Sequence, residues 1–242
     1  MFGLFARKQS FIQSGLLKDA VDNHSHILPG VDDGIRTPEE TMDALSFLEE
    51  CGLRTLWLTP HIMEDVPNTT EDLQSRFRQL KDAYKGPMKL HLAAEYMMDN
   101  LFEERLEADD LLRHGGDRVL VETSTLFPPI GFWDILDRMM RKGYVPLLAH
   151  PERYRYMSMK DYERLKSMGV QMQLNIPSVV GAYGESVQEK ALHLLDKGMY
   201  VMAGSDCHRS KSVRRWYADP VLKKDTIGKL RPMMAGVPEM TE

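Results

Sequence analysis

Short apolar runs recur along the chain and alternate with longer segments in which apolar residues follow the helical repeat. The runs are nearly continuous and rich in Val, Leu and Ile, which is typical of strands buried on both faces of a parallel sheet. Seven runs fit this description: residues 21–26, 55–60, 90–95, 119–123, 145–150, 171–175 and 200–206. Alternation of strand and helix predicts crossover connections between parallel strands, and therefore an α/β protein.

The segment TPEETMDALSFLEECG carries signals for both ends of a helix. Thr37 is the predicted N-cap, Pro38 occupies the first helical position and Glu40 completes a capping box, while Gly52 marks the end. Further amphipathic stretches lie near residues 70–84, 133–142, 160–168 and 185–197, and three of them close on a glycine, namely Gly143, Gly169 and Gly198.

Seven strand-helix units predict a closed or nearly closed parallel barrel. An open doubly wound sheet is the alternative, but it usually carries a glycine-rich phosphate loop, and the sequence has neither G-x-G-x-x-G nor G-x-x-x-x-G-K-[ST]. Barrels often form one domain at a length of 242 residues. We therefore expect a single barrel domain over residues 20–242, preceded by an N-terminal extension, residues 1–19, that packs on the barrel or on a partner in an oligomer.

Composition narrows the range of partners. Hydrophobic residues make up 43% of the chain and charged residues 28%, as in ordinary soluble globular proteins. The net charge is −5 and no long basic run occurs, so we expect neither nucleic acid nor an anionic membrane as partner. Cys51 and Cys207 lack disulfide or zinc-ribbon spacing, which fits the cytoplasm. We expect neither an export signal in residues 1–19, because Arg7, Lys8 and Gln9 interrupt the apolar start, nor a membrane-spanning stretch.

The ends of the predicted strands carry side chains that bind metals. Strand one ends in HSH, and side chains two apart share a strand face, so His24 and His26 point into one pocket. Further ligand types stand at or just after other strand ends: His61, Glu95, Glu122, His150, Asp206 and His208. Asp33 of the VDDG sequence adds a fourth carboxylate to the five histidines. In a barrel of parallel strands these ends converge on the active site.

Nine donors exceed the three or four that one catalytic ion takes from a protein. The sequence therefore predicts a cluster of two or three divalent ions, and imidazole with carboxylate suits manganese, iron, zinc or magnesium. Each residue also has a structural interpretation, because a single strand-end histidine is often only hydrogen-bonded and Asp206 could cap a helix. Their coincidence at one barrel end favours the metal site.

Three histidines lie outside this set. His114 and His193 are predicted to be surface residues, since one stands in a glycine-rich loop and the other in the middle of a helix. His91 shares a strand face with Glu95 four residues earlier, so we expect it to fill a layer of the barrel interior.

Several motifs together resemble the PHP (polymerase and histidinol phosphatase) superfamily, and specifically its CpsB/CapC-type bacterial protein tyrosine phosphatases. The matching stretches are DNHSHILPGVDDG, TPH, AAE, VET, GYVPLLAHPERY, LNIPSVVGAYG and GSDCH, over about residues 21–210. The resemblance implies a distorted TIM-like barrel of seven strand-helix units, about three ions, most often manganese, and phosphotyrosine hydrolysis without a cysteine nucleophile. It also implies a role in capsule or exopolysaccharide regulation.

The resemblance also assigns residues to roles. It implies one ligand set of His24, His26, Glu95 and Asp206, a second of Glu95, Glu122 and His150, and a third of Asp33, His61 and His208. Arg153, which follows the strand end in AHPERY, is expected to hold the phosphate at the pocket mouth. Our mechanistic hypothesis is in-line attack by a hydroxide held between two ions, with a metal-bound water or a nearby acid, His208 or Asp33, protonating the departing phenolate.

Features of the sequence also suggest four other functions. A cysteine phosphatase is suggested by CHRSKSVR, but six residues separate Cys207 from Arg214 where that family has five. Amidohydrolases share an H-x-H start but generally carry a lysine where this chain reads VET. A small-molecule phosphoesterase of the histidinol-phosphate or nucleotide type and a non-catalytic metal-binding regulator both stay open.

The partner implied by the family is the tyrosine-rich C-terminal tail of a bacterial tyrosine kinase. Lys211, Arg214 and Arg215 could bind such a tail, although a solvated helix face explains them as well.

Overall fold

The computed structural model describes residues 8–235. Its strands are β1 Val21–Asp22, β2 Thr55–Leu58, β3 His61–Ile62, β4 Lys89–Leu92, β5 Glu95–Met97, β6 Arg118–Glu122, β7 Val145–Ala149, β8 Gln171–Asn175 and β9 Met202–Gly204. Its helices are α1 Phe11–Ser14, α2 Pro38–Glu50, α3 Thr70–Ala83, α4 Asn100–Ala108, α5 Phe132–Arg141, α6 Met159–Met168, α7 Ile176–Val179, α8 Glu185–Asp196, α9 Ser210–Ala218 and α10 Lys224–Met234. A 3₁₀ turn occupies Pro151–Arg153.

All strand pairs between these elements are parallel, as the alternating pattern predicts. The strands form a three-stranded sheet, β1-β2-β4, and a six-stranded sheet, β3-β5-β6-β7-β8-β9. Beyond β9 the chain returns to the segment after β1, where Ser25 pairs with Cys207 in parallel and His24 O accepts a hydrogen bond from Asp206 N at 2.8 Å. The sheet is thus curled on itself, and the predicted distorted, TIM-like α/β fold is confirmed.

Four of the seven predicted strands are wrong in their extent. The predictions at 21–26 and 200–206 shorten to β1 and β9. The prediction at 55–60 ends early as β2 and is followed by the separate strand β3, and the prediction at 90–95 is likewise interrupted between β4 and β5. Pro60 lies at the first break and has no N–H for a ladder, while its carbonyl accepts from Glu95 N at 3.0 Å. The breaks divide the seven strand positions between two sheets, and they place His61 opposite Glu95 in the register of β3 and β5.

The helix signals are largely confirmed. Thr37 caps α2 by accepting a hydrogen bond from Glu40 N at 3.2 Å, and Pro38 is its first residue. The return bond of a capping box is not among the hydrogen bonds of residues 8–235. Left-handed glycines follow α5, α6 and α8 as predicted, namely Gly143, Gly169 and Gly198.

The part of the N-terminal extension within the described residues packs on the fold. Ser10 caps the short α1 in a full capping box, and Phe11 is completely buried with its ring 5.6 Å from that of Tyr217. Gln9 pairs with Leu222 in an antiparallel bridge. Residues 1–7 lie outside the described residues, and the domain boundary after residue 19 stays a prediction. No helix within residues 8–235 has the length and apolar character needed to cross a bilayer.

Aromatic rings fill one part of the barrel interior. Trp57 stacks between His91 and His114, with ring centroids 4.7 and 4.3 Å away. His91 stacks on Trp57 but is only half-buried, so it lies at the edge of the barrel interior that we expected it to fill, and His193 is exposed as predicted. The surface prediction for His114 is wrong: the residue is completely buried, and its Nε2–H donates to Asn23 O at 2.6 Å. A tertiary stack on Trp57 decides its burial, and the local GG sequence does not reveal this.

The buried His114 should make folding stability depend on pH. Burial lowers the pKa of His114 to about 4, from an ordinary value of 6.5. The unfolded chain therefore binds the proton first as pH falls, so this contribution is complete above pH 6.5 and is lost toward pH 4, by roughly 3 kcal/mol. Urea unfolding of wild type and His114→Gln across this range should show a smaller pH slope in the variant. Equal slopes would contradict the assignment.

Candidate metal centre

The HSH sequence places two imidazoles in one pocket at the carboxyl end of β1. The Nε2 atoms of His24 and His26 are 3.1 Å apart, whereas Ser25 between them points the other way and donates from Oγ to Trp57 O at 2.8 Å. Both histidines are buried. The alternation of side chains along an extended backbone, the basis of the prediction, therefore holds here.

The predicted first ligand set is brought together. His24, His26, Glu95 and Asp206 each offer one ligand atom, and these atoms lie within 4.8 Å of one another. Glu95 Oε2 is 3.1 Å from His24 Nε2 and 3.3 Å from His26 Nε2, while Asp206 Oδ1 lies 3.5 and 3.4 Å from the same two atoms. All four residues are buried. Two imidazoles and two carboxylates around one point form a site for a divalent cation.

The second group contains a histidine that the resemblance assigns elsewhere. His61, Glu95 and Glu122 form it, with His61 Nδ1 lying 3.3 Å from Glu95 Oε2 and 3.3 Å from Glu122 Oε1. His150 lies beside the same carboxylates, its Nε2 being 2.9 Å from Glu95 Oε1 and 3.5 Å from Glu122 Oε2. The expected neighbours Glu95, Glu122 and His150 are therefore together, with His61 added.

The third group lies nearest the solvent. It consists of His26, Asp33, His61 and His208, of which the resemblance predicts the last three. Asp33 Oδ1 is 3.6 Å from His61 Nε2 and 3.3 Å from His208 Nε2, and its side chain is 70% exposed. The rings of His26 and His208 stack at 4.0 Å. Because His26 and His61 each belong to two groups, the three groups form one continuous cluster.

Burial and crowding shift the pKa values of two side chains in this cluster. Burial, with the neighbouring charges of Glu95 and Asp206, raises the pKa of Glu122 well above its usual range. Burial and the charge of His26 lower the pKa of His61 to about 4, which leaves its ring neutral. Crowded carboxylates and a neutral imidazole are both satisfied by divalent cations, so the donor set fits a metal cluster.

Residues outside the ligand set fix the proton positions on the two HSH imidazoles. Gln173 Oε1 accepts from His24 Nδ1 at 2.7 Å, and Asp32 Oδ2 accepts from His26 Nδ1 at 2.7 Å. The Nδ1–H form leaves both Nε2 lone pairs facing the group of ligand atoms. Burial opposes protonation of His24, but the carboxylates of Glu95 and Asp206 outweigh it and hold the pKa of His24 above its ordinary value. Metal binding there must displace that proton.

Asp32 is a site residue that the sequence interpretation missed. Its side chain is fully buried, and besides His26 it accepts hydrogen bonds from His61 N at 3.0 Å and Gly34 N at 2.9 Å. Burial alone would raise the pKa of Asp32, but the hydrogen bonds and charge of His26, with the two backbone N–H groups, hold that pKa well below its ordinary value. The bond to Gly34 is an Asx turn, for which an Asp two residues before a Gly is a recognisable signal in VDDG.

Strand β8 contributes orienting residues in place of ligands. Besides Gln173, its last residue Asn175 donates from Nδ2 to Asp206 Oδ2 at 2.8 Å. Asp206 and His150 both have left-handed backbone, with φ of 51° and 34°. Non-glycine residues in this region cost stability and are retained where the surroundings fix them, as at functional sites. The two strained ligands are therefore held by neighbours from other strands.

Arg153 reaches the cluster from the 3₁₀ turn after β7. Its Nη1 donates to Asp206 Oδ2 at 3.0 Å, and its guanidinium lies 4.7 Å from the centre of the Tyr183 ring. Arg153 is not paired with its neighbour Glu152, because Glu152 is buried and accepts hydrogen bonds from Asn175 N and Tyr200 OH. The Arg153 side chain is 27% exposed, so it borders both the cluster and the solvent.

Comparison with known proteins agrees with this site. A family model described as capsular polysaccharide synthesis, CpsB/CapC, matches residues 20–223. The tyrosine-protein phosphatase YwqE of Bacillus subtilis is 25% identical over 201 residues, 79% of this chain and 78% of its own length. The tyrosine-protein phosphatase CpsB of Streptococcus pneumoniae is 27% identical over 206 residues, 79% of this chain and 84% of its own length.

Solved structures share the fold. One, from work on YwqE of Bacillus subtilis and CpsB of Streptococcus pneumoniae as unique metal-dependent tyrosine phosphatases, has a TM-score of 0.68 and 23% identity over 89% of this chain and 84% of that chain. An amidohydrolase from Mycoplasma synoviae has a TM-score of 0.56 and 11% identity over 96% and 92% of the two chains. On the family match and its coverage, the predicted resemblance is confirmed, and the chain belongs to the CpsB/CapC family.

Proposed function

We propose that this protein is a metal-dependent phosphatase that hydrolyses phosphotyrosine on proteins. The observation that carries the proposal is the joining of three ligand groups at one barrel end through Glu95, His26 and His61. Family membership and the names of the relatives support the substrate class. An arginine beside the groups adds the cation that a phosphate monoester requires.

The three groups would hold two or three divalent ions, with manganese our first candidate and iron, zinc or magnesium as the others. Nine residues make up the proposed set: His24, His26, Asp33, His61, Glu95, Glu122, His150, Asp206 and His208. When bound, such ions polarise phosphoryl oxygens and supply a nucleophilic oxygen near neutral pH. Imidazole and carboxylate donors without thiolate fit these ions, and the hydrogen bonds at Nδ1 of His24 and His26 leave both Nε2 atoms facing the site, where a metal would replace the Nε2 proton.

Arg153 is proposed to bind the phosphoryl group. Its guanidinium is anchored on one side by Asp206 and stacked against Tyr183, which limits its rotamers before substrate arrives. The remaining N–H groups can donate to two phosphate oxygens at once. Charge that develops on those oxygens is then met by a fixed cation instead of by reorganising water.

His208 and Asp33 are the two candidates for proton transfer to the departing phenolate. Burial lowers the pKa of His208, so its ring is neutral near pH 7, and its Nδ1–H donates to Asp206 O at 3.0 Å. The Nε2 lone pair that remains suits a ligand and not an acid. Asp33 has an exposed side chain at the pocket mouth, where its carboxylate can take up a proton from solvent water and pass it to the leaving phenolate oxygen.

The physiological substrate is proposed to be the tyrosine-rich tail of a bacterial tyrosine kinase, in capsule or exopolysaccharide regulation. The description of the family, capsular polysaccharide synthesis, supports this assignment. Of the basic residues considered for the tail, Arg214 pairs with Asp43 at 2.9 Å and stacks on Phe47, so it has a structural role. A cytoplasmic location stays a prediction from the cysteine content.

A chelator should abolish activity, whereas Cys207→Ser should retain it. Cys207 is buried, and burial raises the pKa of its thiol, so it cannot act as the thiolate nucleophile of a cysteine phosphatase. Turnover of a phosphotyrosine peptide should fall at least 100-fold after metal removal and return when manganese is added. Full activity in metal-free protein, or its loss in Cys207→Ser with the fold intact, would reject the proposal. A panel with histidinol phosphate and nucleotides separates the small-molecule alternative.

Asp32→Asn should weaken metal binding without changing the ligand set. The amide keeps a hydrogen-bonding group but removes the charge that orients the Nδ1–H of His26, and such changes typically cost 10- to 100-fold in metal affinity. Calorimetric titration with manganese measures the loss directly. Asp82→Asn, which alters an exposed carboxylate on α3, is the matched control and should bind as wild type does. An affinity within twofold of wild type in Asp32→Asn would contradict the orienting role.

Arg153→Lys should lower kcat/KM for phosphotyrosine peptides by about 100-fold. Lysine keeps the charge but loses the planar pair of donors and the stacking on Tyr183. Steady-state kinetics, with manganese content measured on the same samples, separates this effect from loss of metal. Arg141→Lys, at an exposed position on α5, is the control. Unchanged kcat/KM in Arg153→Lys would show that the guanidinium does not bind the phosphate.

A further inference from the structure

An apolar loop, residues 124–131 with the sequence STLFPPIG, follows β6. Its side chains Leu126, Phe127 and Ile130 are 56, 64 and 99% exposed. Six large hydrophobic side chains are exposed among residues 8–235, and these three lie within five consecutive positions. Single exposed apolar residues are ordinary, but several together indicate a surface that contacts another molecule.

The apolar loop is fixed at the rim of the metal centre. It begins two residues after Glu122, and the intervening Thr123 donates its N–H to Tyr154 OH at 3.2 Å. Thr123 Oγ1 also lies 2.6 Å from Tyr156 OH, and Arg155 N donates to Thr125 O at 2.8 Å. These partners belong to the segment that follows Arg153 directly. Loop and arginine are therefore held together by the same short stretch of chain.

We propose that the apolar loop binds apolar residues that flank the phosphotyrosine in the substrate, an inference that rests on the proposed function. A phosphoryl group between Arg153 and the ligand groups places the tyrosine side chain in the pocket and the polypeptide on either side across the rim. Extended chain advances about 3.3 Å per residue, so two residues of substrate cover the same span as the two residues from Arg153 to Arg155, whose N–H is bonded to Thr125 O of the loop. A second copy of the chain on this loop would compete with the substrate.

The chemistry of the loop selects the class of flanking residue. None of residues 124–131 carries a charge, so neither acidic nor basic flanks gain an ion pair there. Tyr183, 37% exposed beside Arg153, adds a fourth exposed aromatic or aliphatic face at this rim. Pro128 and Pro129 restrict the backbone, which reduces the entropy lost when a partner binds. The surface therefore favours leucine-like over serine-like flanks.

Two phosphotyrosine peptides test the proposal, identical except for leucine or serine at two positions on each side of the phosphotyrosine. The wild-type kcat/KM should be about tenfold higher for the leucine peptide, from burial of apolar surface. In the variant Leu126→Ser/Phe127→Ser/Ile130→Ser this ratio should fall to near one. Val201→Ser, which changes an apolar residue 40% exposed just before β9, is the matched control and should keep the ratio.

A ratio near one in wild type, or an undiminished ratio in the triple variant, overturns the proposal. An undiminished ratio together with a change of mass in sedimentation assigns the loop to contact between copies and overturns it as well. If wild type hydrolyses neither peptide, the proposed function fails. The inference is then measured with non-hydrolysable phosphonate analogues of both peptides, since the same tenfold ratio must appear in their Kd values and vanish in the triple variant.

Discussion

The buried carboxylate of Glu95 lies against four imidazoles, those of His24, His26, His61 and His150. A charge removed from water is tolerated only when it is paired and hydrogen-bonded, so Glu95 requires all of these neighbours. They come from three separate parts of the chain: just beyond β1, in β3, and directly after β7. The pairing of His61 with Glu95 arises from the breaks between β2 and β3 and between β4 and β5, so the irregular barrel serves the cluster.

Around this charge, hydrogen bonds to backbone and amide groups limit the motion of the ligands. Gln173 and Asp32 set which ring nitrogen of two histidines carries the proton, and Asn175 holds Asp206 in its left-handed conformation. The strain at such positions is offset by the packed interior below, where Trp57 is stacked between two further rings. Rigidity of this kind keeps crowded carboxylates near one another, which is the condition for binding several cations.

The proposed chemistry and the proposed recognition of substrate occupy different elements of the fold. The ligand groups stand at strand ends, whereas Arg153 and the apolar loop lie on connections at the rim. The likeness to an amidohydrolase at 11% identity shows that the barrel alone does not specify the reaction. In this chain β6 ends in Glu122, which lies beside His61 and Glu95. The side chains at the strand ends, and not the barrel itself, therefore define the candidate metal centre.

The sequence determined the strand-helix alternation, the parallel sheet and the membership of the ligand cluster. Apolar runs mark the buried parallel strands. Residues at the ends of these strands must meet, because parallel strands share a carboxyl edge. The structure brings all nine proposed ligands to that edge, in three overlapping groups with His150 beside them. These residues lie together because each stands at or near the carboxyl end of a strand, and the local sequence shows where those strands end.

Only the tertiary structure decided which ligand groups share His26 and His61. It also showed that Asp32 orients the His26 ring and that His114 is buried. The shared histidines and the burial of His114 depend on contacts between segments far apart in the chain, whereas Asp32 meets His26 across only six residues. The break between β2 and β3, for example, coincides with Pro60, whereas the break between β4 and β5 falls at two alanines and has no proline or glycine to mark it. Register between distant strands sets distances of a few ångströms, and no local pattern records that register.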